Sequence, residues 1–153
     1  MNKFNIIFVL ILILTYGCGY TPIYSTKELN FVINKINLEG ERNINKIINQ
    51  RLKNYSKNNQ AKNIYDIGIT SSLEKKITTK DKKGNPTQFS LKLIVAVSVN
   101  DSFNQIEQQI FRESSSYKNN ENKFDLKNYE DNLVQNMSEK IISDIILFIQ
   151  NLD

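Results

Sequence analysis

The most regular hydrophobic pattern in the chain lies between two polar turns, at 80–86 and 100–102. Along this stretch an apolar side chain stands at every second position, and smaller or polar side chains fill most of the positions between. A repeat of two is the period of a β-strand with one buried face. The pattern therefore predicts a central strand whose core-facing residues are Phe89, Leu91, Leu93, Val95, Val97 and Val99.

Three other segments carry weaker strand patterns. Residues 29–38 are rich in apolar positions but break strict alternation after Ile33, and Gly40 closes the segment. The segment 65–79 alternates apolar and polar positions over its first half. Residues 105–117 are more polar, which is typical of a strand at the edge of a sheet.

Two segments repeat their apolar residues at helical spacing instead. The first covers 44–56, and Asn43 stands where a helix N-cap is expected. The second fills the C-terminal part of the chain, with Asp125 as its predicted N-cap and Phe124 and Tyr129 as a predicted hydrophobic staple. Its apolar stripe consists of Leu126, Tyr129, Leu133, Met137, Ile141, Ile145 and Phe148.

The predicted order of elements is strand, helix, three strands in a meander and a final helix. We therefore predict an α+β fold, a two-layer sandwich in which a four-stranded, largely antiparallel sheet carries two helices on one face (β-α-β-β-β-α). The second face of the sheet should be relatively polar, because the positions between the core residues of the central strand include Ser90, Lys92, Ser98 and Asn100.

The N-terminal segment has the features of a bacterial secretory signal that ends at a lipid-modified cysteine. Lys3 precedes the apolar run Ile6–Leu14, and a small residue, Gly17, stands directly before Cys18. Gly19 follows the cysteine where an Asp would resemble an inner-membrane retention signal, which favours the outer membrane. The predicted organisation is a lipoprotein signal peptide at 1–17, a lipidated N-terminus and tether at 18–28, and a single α+β domain at 29–153.

A plain cleaved signal is the alternative, and it would leave Cys18 as a free thiol. Thr15 and Tyr16 stand where lipoprotein signals usually carry Leu and a small residue, so the match to such a signal is imperfect. A membrane-spanning anchor fits less well. The run Ile6–Leu14 would span about 14 Å as a helix, whereas a bilayer core requires roughly 20 residues.

Composition limits the chemistry that the chain can perform. It has no histidine and one cysteine, so a histidine-based triad, the usual zinc sites and an intramolecular disulfide are excluded within one chain. The 20 basic and 16 acidic residues leave a mild excess of +4, which does not indicate nucleic-acid binding. We expect no enzymatic activity, cofactor or metal, since no spacing selects a pair among Asp66, Glu74, Asp101, Glu107 and Glu113.

Basic residues concentrate at one predicted hairpin. Its turn and arms carry five lysines, and Asp81 is the acid among them after Glu74. Such a hairpin can contact phosphate groups or an acidic protein surface, or it can simply be a solvated turn that keeps the sheet edge from aggregating. The candidate contact residues are Lys75, Lys76, Lys80, Lys82 and Lys83.

Several of these segments resemble the lipopolysaccharide-assembly lipoprotein family LptE of alphaproteobacteria. The start of the predicted mature chain, Cys18–Tyr24, is similar to that family's Cys-Gly-aromatic-Arg-Pro-Leu-Tyr start, with Thr21 in place of the Arg. The Arg42–Leu52 segment looks like its first helix, and Ser114–Tyr117 resembles a Ser-rich, Tyr-containing stretch before its last helix. The predicted order of elements is similar to that family's domain over the whole mature chain.

The resemblance implies a non-enzymatic protein of the outer membrane, anchored by its N-terminal lipid and facing the periplasm. Members of the family bind inside the large outer-membrane barrel LptD, assist its folding and act as its plug. The two proteins together insert lipopolysaccharide into the outer leaflet. The implied partners are therefore LptD, lipopolysaccharide and the membrane, and no nucleic acid.

A lipid- or glycan-binding lipoprotein that acts without a barrel is the competing interpretation. Such a carrier needs a hollow apolar pocket, and the uninterrupted stripe from Phe89 to Val99 is the candidate lining. Two covering helices would fill the same stripe with core side chains. Purification from detergent-solubilised membranes distinguishes the two, through either a stoichiometric barrel or a bound lipid.

Overall fold

The computed structural model describes residues 31–56, 63–101 and 106–152. The predicted signal peptide, Cys18 and the tether lie outside these residues. In chain order the elements are β1 (Phe31–Gly40), α1 (Arg42–Leu52), a 3₁₀-helix (Lys53–Ser56), β2 (Asn63–Lys80), β3 (Pro86–Asn100), β4 (Ile106–Lys118) and α2 (Lys123–Gln150).

The strands form one mixed sheet in the order β1-β2-β3-β4, which confirms the predicted α+β class. β1 pairs with β2 in parallel, as a strand–helix–strand unit requires, and the β2-β3 and β3-β4 pairs are antiparallel. The polar strand β4 lies at one edge, as its composition predicted. Both helices pack on the same face of the sheet, and the two layers enclose one core.

The predicted stripe on β3 is the centre of that core. Its members from Leu91 to Val99 are at most 2% exposed, and Phe89 is partly buried beside them. The residues between them point to the other face of the sheet, which neither helix covers. We call this second surface the open face. On β3 it consists of Ser90, Lys92, Ile94, Ala96, Ser98 and Asn100.

A β-bulge explains why the alternation in β1 breaks. The register between β1 and β2 shifts between Ile33 and Lys35, so one extra residue is inserted there. Ile36 and Leu38 then join Ile33 on the face that packs against the helices. Lys35, which pairs with Asp66 across the two strands, points to the other side of the sheet.

The start of α1 differs from the prediction. The N-cap position is Glu41 rather than Asn43, and no side chain caps this end of the helix. Regular helix ends at Leu52, and the chain continues to Ser56 as a 3₁₀-helix in which Tyr55 stacks on Phe31 at 5.8 Å between ring centroids.

The start of α2 also differs from the prediction. Asn122 is the N-cap, because its side chain accepts hydrogen bonds from the backbone N–H groups of Phe124 and Asp125. The predicted staple does not form, since Phe124 lies within the first turn and is 72% exposed, and Tyr129 is 51% exposed. Both rings therefore remain on the surface of the helix.

A buried polar junction joins β1 to α1. The hydroxyl of Ser71 donates to the Asn45 side-chain oxygen at 2.7 Å and accepts from the backbone N–H of Glu41 at 3.0 Å. Asn45 in turn donates to the carbonyl of Glu39 at 3.0 Å. Since every buried polar atom here has a partner, the junction holds the chain reversal between strand and helix.

Neither helix among the described elements is long and apolar enough to cross a membrane.

Candidate functional site

The basic hairpin formed by β2 and β3 extends beyond the helical layer. Every residue from Lys75 to Asn85 is exposed. We call residues 80–86 the hairpin tip. The structure divides the predicted lysine cluster into two groups, because Lys75 and Lys76 lie on the strand while Lys80, Lys82 and Lys83 lie at or beside the turn.

The two strand lysines point to opposite faces and are engaged with acids. Lys75 lies on the helix side, where its Nζ is 2.6 Å from Glu130 Oε1 of α2. Lys76 lies on the open face and pairs with Glu74 at 3.1 Å. Both side chains are therefore less available to a ligand than the three lysines of the turn.

Glu130 is the centre of a polar cluster that ties the hairpin to α2. The same oxygen, Oε1, accepts hydrogen bonds from Lys75 Nζ at 2.6 Å and from the Tyr117 hydroxyl at 2.7 Å. The Glu130 side chain is only 15% exposed. Burial by itself raises the pKa of Glu130, but hydrogen bonds from Lys75 and Tyr117 outweigh it and leave the pKa lowered.

Aromatic rings complete the cluster. Phe89 and Tyr117 stack across β3 and β4 at 5.6 Å between centroids, and Lys75 Nζ lies 4.6 Å above the Phe89 ring. Tyr129 of α2 lies 5.9 Å from Tyr117. Burial and the hydrogen bond to Glu130 raise the pKa of Tyr117, so its hydroxyl stays a donor in the physiological range. The charge pattern alone did not predict this cluster, because its members come from four elements.

Glu130→Gln should lower the free energy of unfolding at neutral pH by about 1–2 kcal/mol, because a neutral amide accepts both hydrogen bonds more weakly. The lowered pKa of Glu130 means that its contribution is complete above the unfolded pKa and disappears as pH falls through the folded value. The difference between variant and wild type should therefore shrink below about pH 4. Urea unfolding at a series of pH values measures it.

Glu121→Gln is the matched control, since Glu121 is exposed and lies in the loop before α2. It should change the free energy of unfolding by less than about 0.5 kcal/mol at any of these pH values. A Glu130→Gln effect that stays constant down to the lowest pH would contradict the assigned role of the carboxylate.

The hairpin tip is ordered by its single acid. Asp81 Oδ1 accepts hydrogen bonds from the backbone N–H groups of Lys83 and Asn85, both at 2.8 Å. The bonds from the side chain and backbone of Asn85 lower the pKa of Asp81. Gly84 completes the turn at a φ of +87°, which L side chains rarely adopt.

The tip lysines extend outward from this ordered turn. Within the part of the chain that the structure describes, Lys80, Lys82 and Lys83 form no ion pair. Three exposed ammonium groups on one hydrogen-bonded turn can bind phosphate groups or an acidic surface. Of the five predicted contact residues, these three are arranged to act together.

Exposed aromatic residues lie on the same side of the domain. Asn119 donates to the carbonyl of Pro86 at 2.8 Å, which places the loop between β4 and α2 at the base of the hairpin tip. Beside this loop is a depression of about 900 Å³, whose lining includes Tyr117, Lys118 and Tyr129. Phe124 is exposed in the first turn of α2. The failed staple prediction thus reveals apolar surface close to the cationic tip.

The tip and the N-terminal side of the domain lie at opposite ends of the sheet. Phe31 pairs with Asn63 at the beginning of β2, and the tip follows Lys80 at its end. At about 3.3 Å per residue, β2 separates the two ends by roughly 55 Å. The stretch from Cys18 to Phe31 reaches at most about 45 Å when fully extended.

The structure does not provide the pocket that a lipid carrier needs along the β3 stripe. The side chains from Leu91 to Val99 pack against α1 and α2. The competing interpretation therefore loses its candidate lining.

The scattered acids do not assemble into one site. Among the described residues, Glu74 and Glu113 are in separate ion pairs, and Asp66 accepts a hydrogen bond from Asn34. Asp101 and Glu107 line one depression of about 240 Å³ at the opposite end from the tip. Nowhere in the described ranges do three metal-ligating side chains group together.

Comparison with known proteins identifies the class of fold. No protein-family model matches the sequence, and no curated protein matches it either. Solved structures do match, and three of them are bacterial proteins described as lipoproteins. The domain therefore shares the architecture of these structures, and at identities of 17% or less the similarity is one of fold.

Three of these structures cover most of the domain. Rare lipoprotein B from Shewanella oneidensis is 17% identical with a TM-score of 0.61, over 78% of this chain and 96% of the other. Lipoprotein B from Nitrosomonas europaea is 17% identical with a TM-score of 0.55, over 77% and 83%. A minor lipoprotein from Acinetobacter baumannii is 12% identical with a TM-score of 0.55, over 80% and 92%.

Proposed function

We propose that the protein is an outer-membrane lipoprotein of LptE type, which occupies the LptD barrel, assists its assembly and takes part in inserting lipopolysaccharide into the outer leaflet. In this proposal Cys18 carries the lipid, and the domain faces the periplasm and the barrel lumen. The observation that carries the proposal is the domain-wide fold similarity to rare lipoprotein B, in a chain that begins with a lipoprotein-like signal.

The surface of the domain is compatible with such a position. A barrel lumen is polar and water-filled, so a protein within it needs a hydrophilic exterior. The open face presents hydroxyl, amide and charged side chains, and the outward side of α2 carries residues such as Asn128, Asn132 and Asn136.

We assign lipid contact within this function to the hairpin tip. Lys80, Lys82 and Lys83 are exposed and without ion pairs to described residues, and they lie roughly 55 Å from the end where the chain enters the sheet. A tip at this distance from the anchored end can meet phosphorylated lipid head groups away from the membrane surface that holds Cys18.

Depletion of the protein in its own organism tests the function. Without it, we expect LptD to accumulate unfolded and surface lipopolysaccharide to fall, and wild-type protein should restore both. The triple variant Lys80→Glu, Lys82→Glu, Lys83→Glu should restore the folded barrel but reduce lipopolysaccharide binding roughly tenfold or more, because three attractive contacts become repulsive. Heat-modifiable gel mobility measures barrel folding, and surface labelling measures surface lipopolysaccharide. Recovery of lipopolysaccharide with each purified variant measures binding.

Lys46→Glu, Lys53→Glu is a charge-reversal control on the exposed side of α1 and the following turn, and it should behave as wild type. Normal barrel folding and normal surface lipopolysaccharide after depletion would refute the proposed function. Normal lipopolysaccharide binding by the triple variant would refute the role of the tip alone.

A further inference from the structure

The open face is a continuous surface formed by three long strands. Cross-strand partners on it follow from the register: Ser72 lies beside Ile94, which lies beside Arg112, and the next rows repeat this arrangement. Residues directly opposite one another have Cβ atoms about 5 Å apart. The register therefore maps which open-face side chains are neighbours.

The size of this face matches that of a protein interface. The three long strands, at about 4.8 Å spacing over the length that β3 and β4 share, give roughly 600 Å², and the shorter β1 brings the total to roughly 700 Å². A standard interface buries about 800 Å² on each partner. Neither helix of the domain covers this area.

The face also has the layout of an interface. Its middle rows carry apolar side chains, Ile94, Ala96 and Ile110, and Ile110 is 47% exposed. A shallow depression of about 370 Å³ lies there over a floor that includes Gly68 and Ser98. Polar and charged residues surround this centre, which is the usual arrangement of an apolar core within a polar rim.

Charge on the face is uneven along the strands. Towards the hairpin it carries Lys76, Lys92, Arg112 and Lys118, with Glu74 as the acid in these rows. Towards the other end the charges are Lys35, Glu39 and Asp66. The face as a whole is therefore basic, and most of its positive charge lies in the half next to the hairpin.

Ion pairing within the domain engages some of its cations and leaves others exposed. On the helix side, Lys75, Lys140 and Arg51 each pair with a glutamate of the domain itself. On the open face, Lys76 pairs with Glu74, and Lys92 lies opposite the same glutamate and helps to lower its pKa. Arg112 and Lys118 form no ion pair with any residue that the structure describes. The open face thus presents cations to a partner, as the hairpin tip does.

We propose that the open face is a docking surface for a protein partner whose contacting surface is polar and acidic. The apolar centre indicates a protein rather than a glycan, and the exposed cations require acidic groups opposite them. A second copy of this chain fits less well as the partner, because both contacting faces would then carry a net positive charge and repel each other.

The inference deepens the proposed function, on which it rests for the identity of the partner, because the lumen wall of a barrel is a polar protein surface. The inference also specifies the orientation of the domain, with the open face towards that wall. The helix layer, including the outward side of α2, would then face away from the strongest contact.

Site-specific photo-crosslinking in living cells tests the assignment. The photoreactive residue p-benzoylphenylalanine replaces Thr70 or Gln108 on the open face, and Asn132 or Asn136 on the exposed side of α2 as matched controls. We expect a high-mass adduct with an outer-membrane protein from the two open-face positions, about tenfold more abundant than from the two helix positions.

The outcomes separate the inference from the function on which it rests. If only the helix positions form adducts with the barrel, the open face is not the docking surface, although the proposed function stands. Adducts between two copies of the chain, adducts with lipid only, or no adducts from Thr70 and Gln108 would also overturn it. If depletion leaves the barrel unaffected while the open face still crosslinks an acidic protein, the function fails and the docking surface stands.

Charge reversal provides a second measurement that does not depend on the photoreactive residue. Lys92→Glu, Arg112→Glu should reduce the partner recovered with the full chain by about tenfold or more, and raising salt should weaken the wild-type contact. Lys46→Glu, Lys53→Glu should leave recovery unchanged. Equal recovery with both double variants would contradict the proposed charge complementarity. Circular dichroism verifies that each variant is folded.

Discussion

Gly40→Ala should destabilise the domain by more than about 3 kcal/mol and leave it largely unfolded at 37 °C. Gly40 ends β1 at a φ of +93°, a conformation that L side chains rarely adopt. A Cβ there would lie 1.9 Å from the backbone carbonyl oxygen of Ser71. The overlap persists because the carbonyl oxygen of Ser71 belongs to a paired strand and cannot move aside. Its cost adds to the backbone strain at this φ.

The overlap is severe because of what Ser71 does. It pairs with Gly40 across β1 and β2, and its carbonyl accepts from the N–H of Glu41 at 3.2 Å. Its hydroxyl holds Asn45 in the buried junction. Moving this backbone to admit a methyl group would open the junction that turns the chain from β1 into α1.

Gly84→Ala is the matched control, because Gly84 has nearly the same φ, +87°, but no atom within 4 Å of an added Cβ. It should lose only about 1–2 kcal/mol, from backbone strain alone. Urea unfolding of the two variants measures the difference. Equal losses would show that overlap with Ser71 contributes nothing, and the account of the junction would then be wrong.

Cys18→Ser should move the protein from the membrane fraction to the soluble periplasmic fraction. Each buried CH₂ of an acyl chain contributes about 0.8 kcal/mol to membrane binding, and stable attachment requires more than one chain or a second signal. Serine provides no thiol for the lipid, and neither α1 nor α2 can cross a membrane in its place. Fractionation followed by mass spectrometry of the mature N-terminus measures the result.

Tyr16→Ala is a matched control, since it places a small residue two positions before the cysteine and should be lipidated at least as well as wild type. Wild-type protein with an unmodified Cys18 would overturn the anchor and favour a plain cleaved signal. The fold would be unaffected, because the described domain begins at Phe31.

The hydrophobic pattern alone was sufficient to predict which residues form the core. The stripe from Phe89 to Val99 is strictly periodic, so its burial follows from strand geometry, and the helical repeats of 44–52 and 126–149 follow in the same way. Predictions were weaker where one residue changes the register. The bulge after Ile33 depends on pairing with β2, which a single segment does not reveal.

Helix starts were the least predictable feature. Asn43 and Asp125 are good N-cap residues, but each lies inside its helix, because Glu41 and Asn122 occupy the cap positions. At α1 the position is set by the chain reversal at Gly40, where Ser71 already binds the backbone of Glu41. A tertiary contact therefore overrides the local preference for an asparagine cap.

The candidate site was predicted in part. The turn signal and its lysines were evident in the sequence, and the tip is exposed as expected. That Lys75 and Lys76 point to opposite faces follows from strand geometry, but the engagement of Lys75 depends on Glu130, which lies 55 residues away in the sequence. Pairing over such a distance is decided by how α2 packs on the sheet.

The sequence by itself determined the order of the elements, the core-facing stripe and the exposed basic turn, since each depends on periodicity or local turn chemistry within one segment. Only the tertiary structure decided which charges remain available for a partner. Ion pairs such as Lys75 with Glu130 and Lys140 with Glu113 form between segments that are distant in sequence. Their formation engages Lys75 and Lys140, while the tip lysines and, on the open face, Arg112 and Lys118 form no ion pair with described residues.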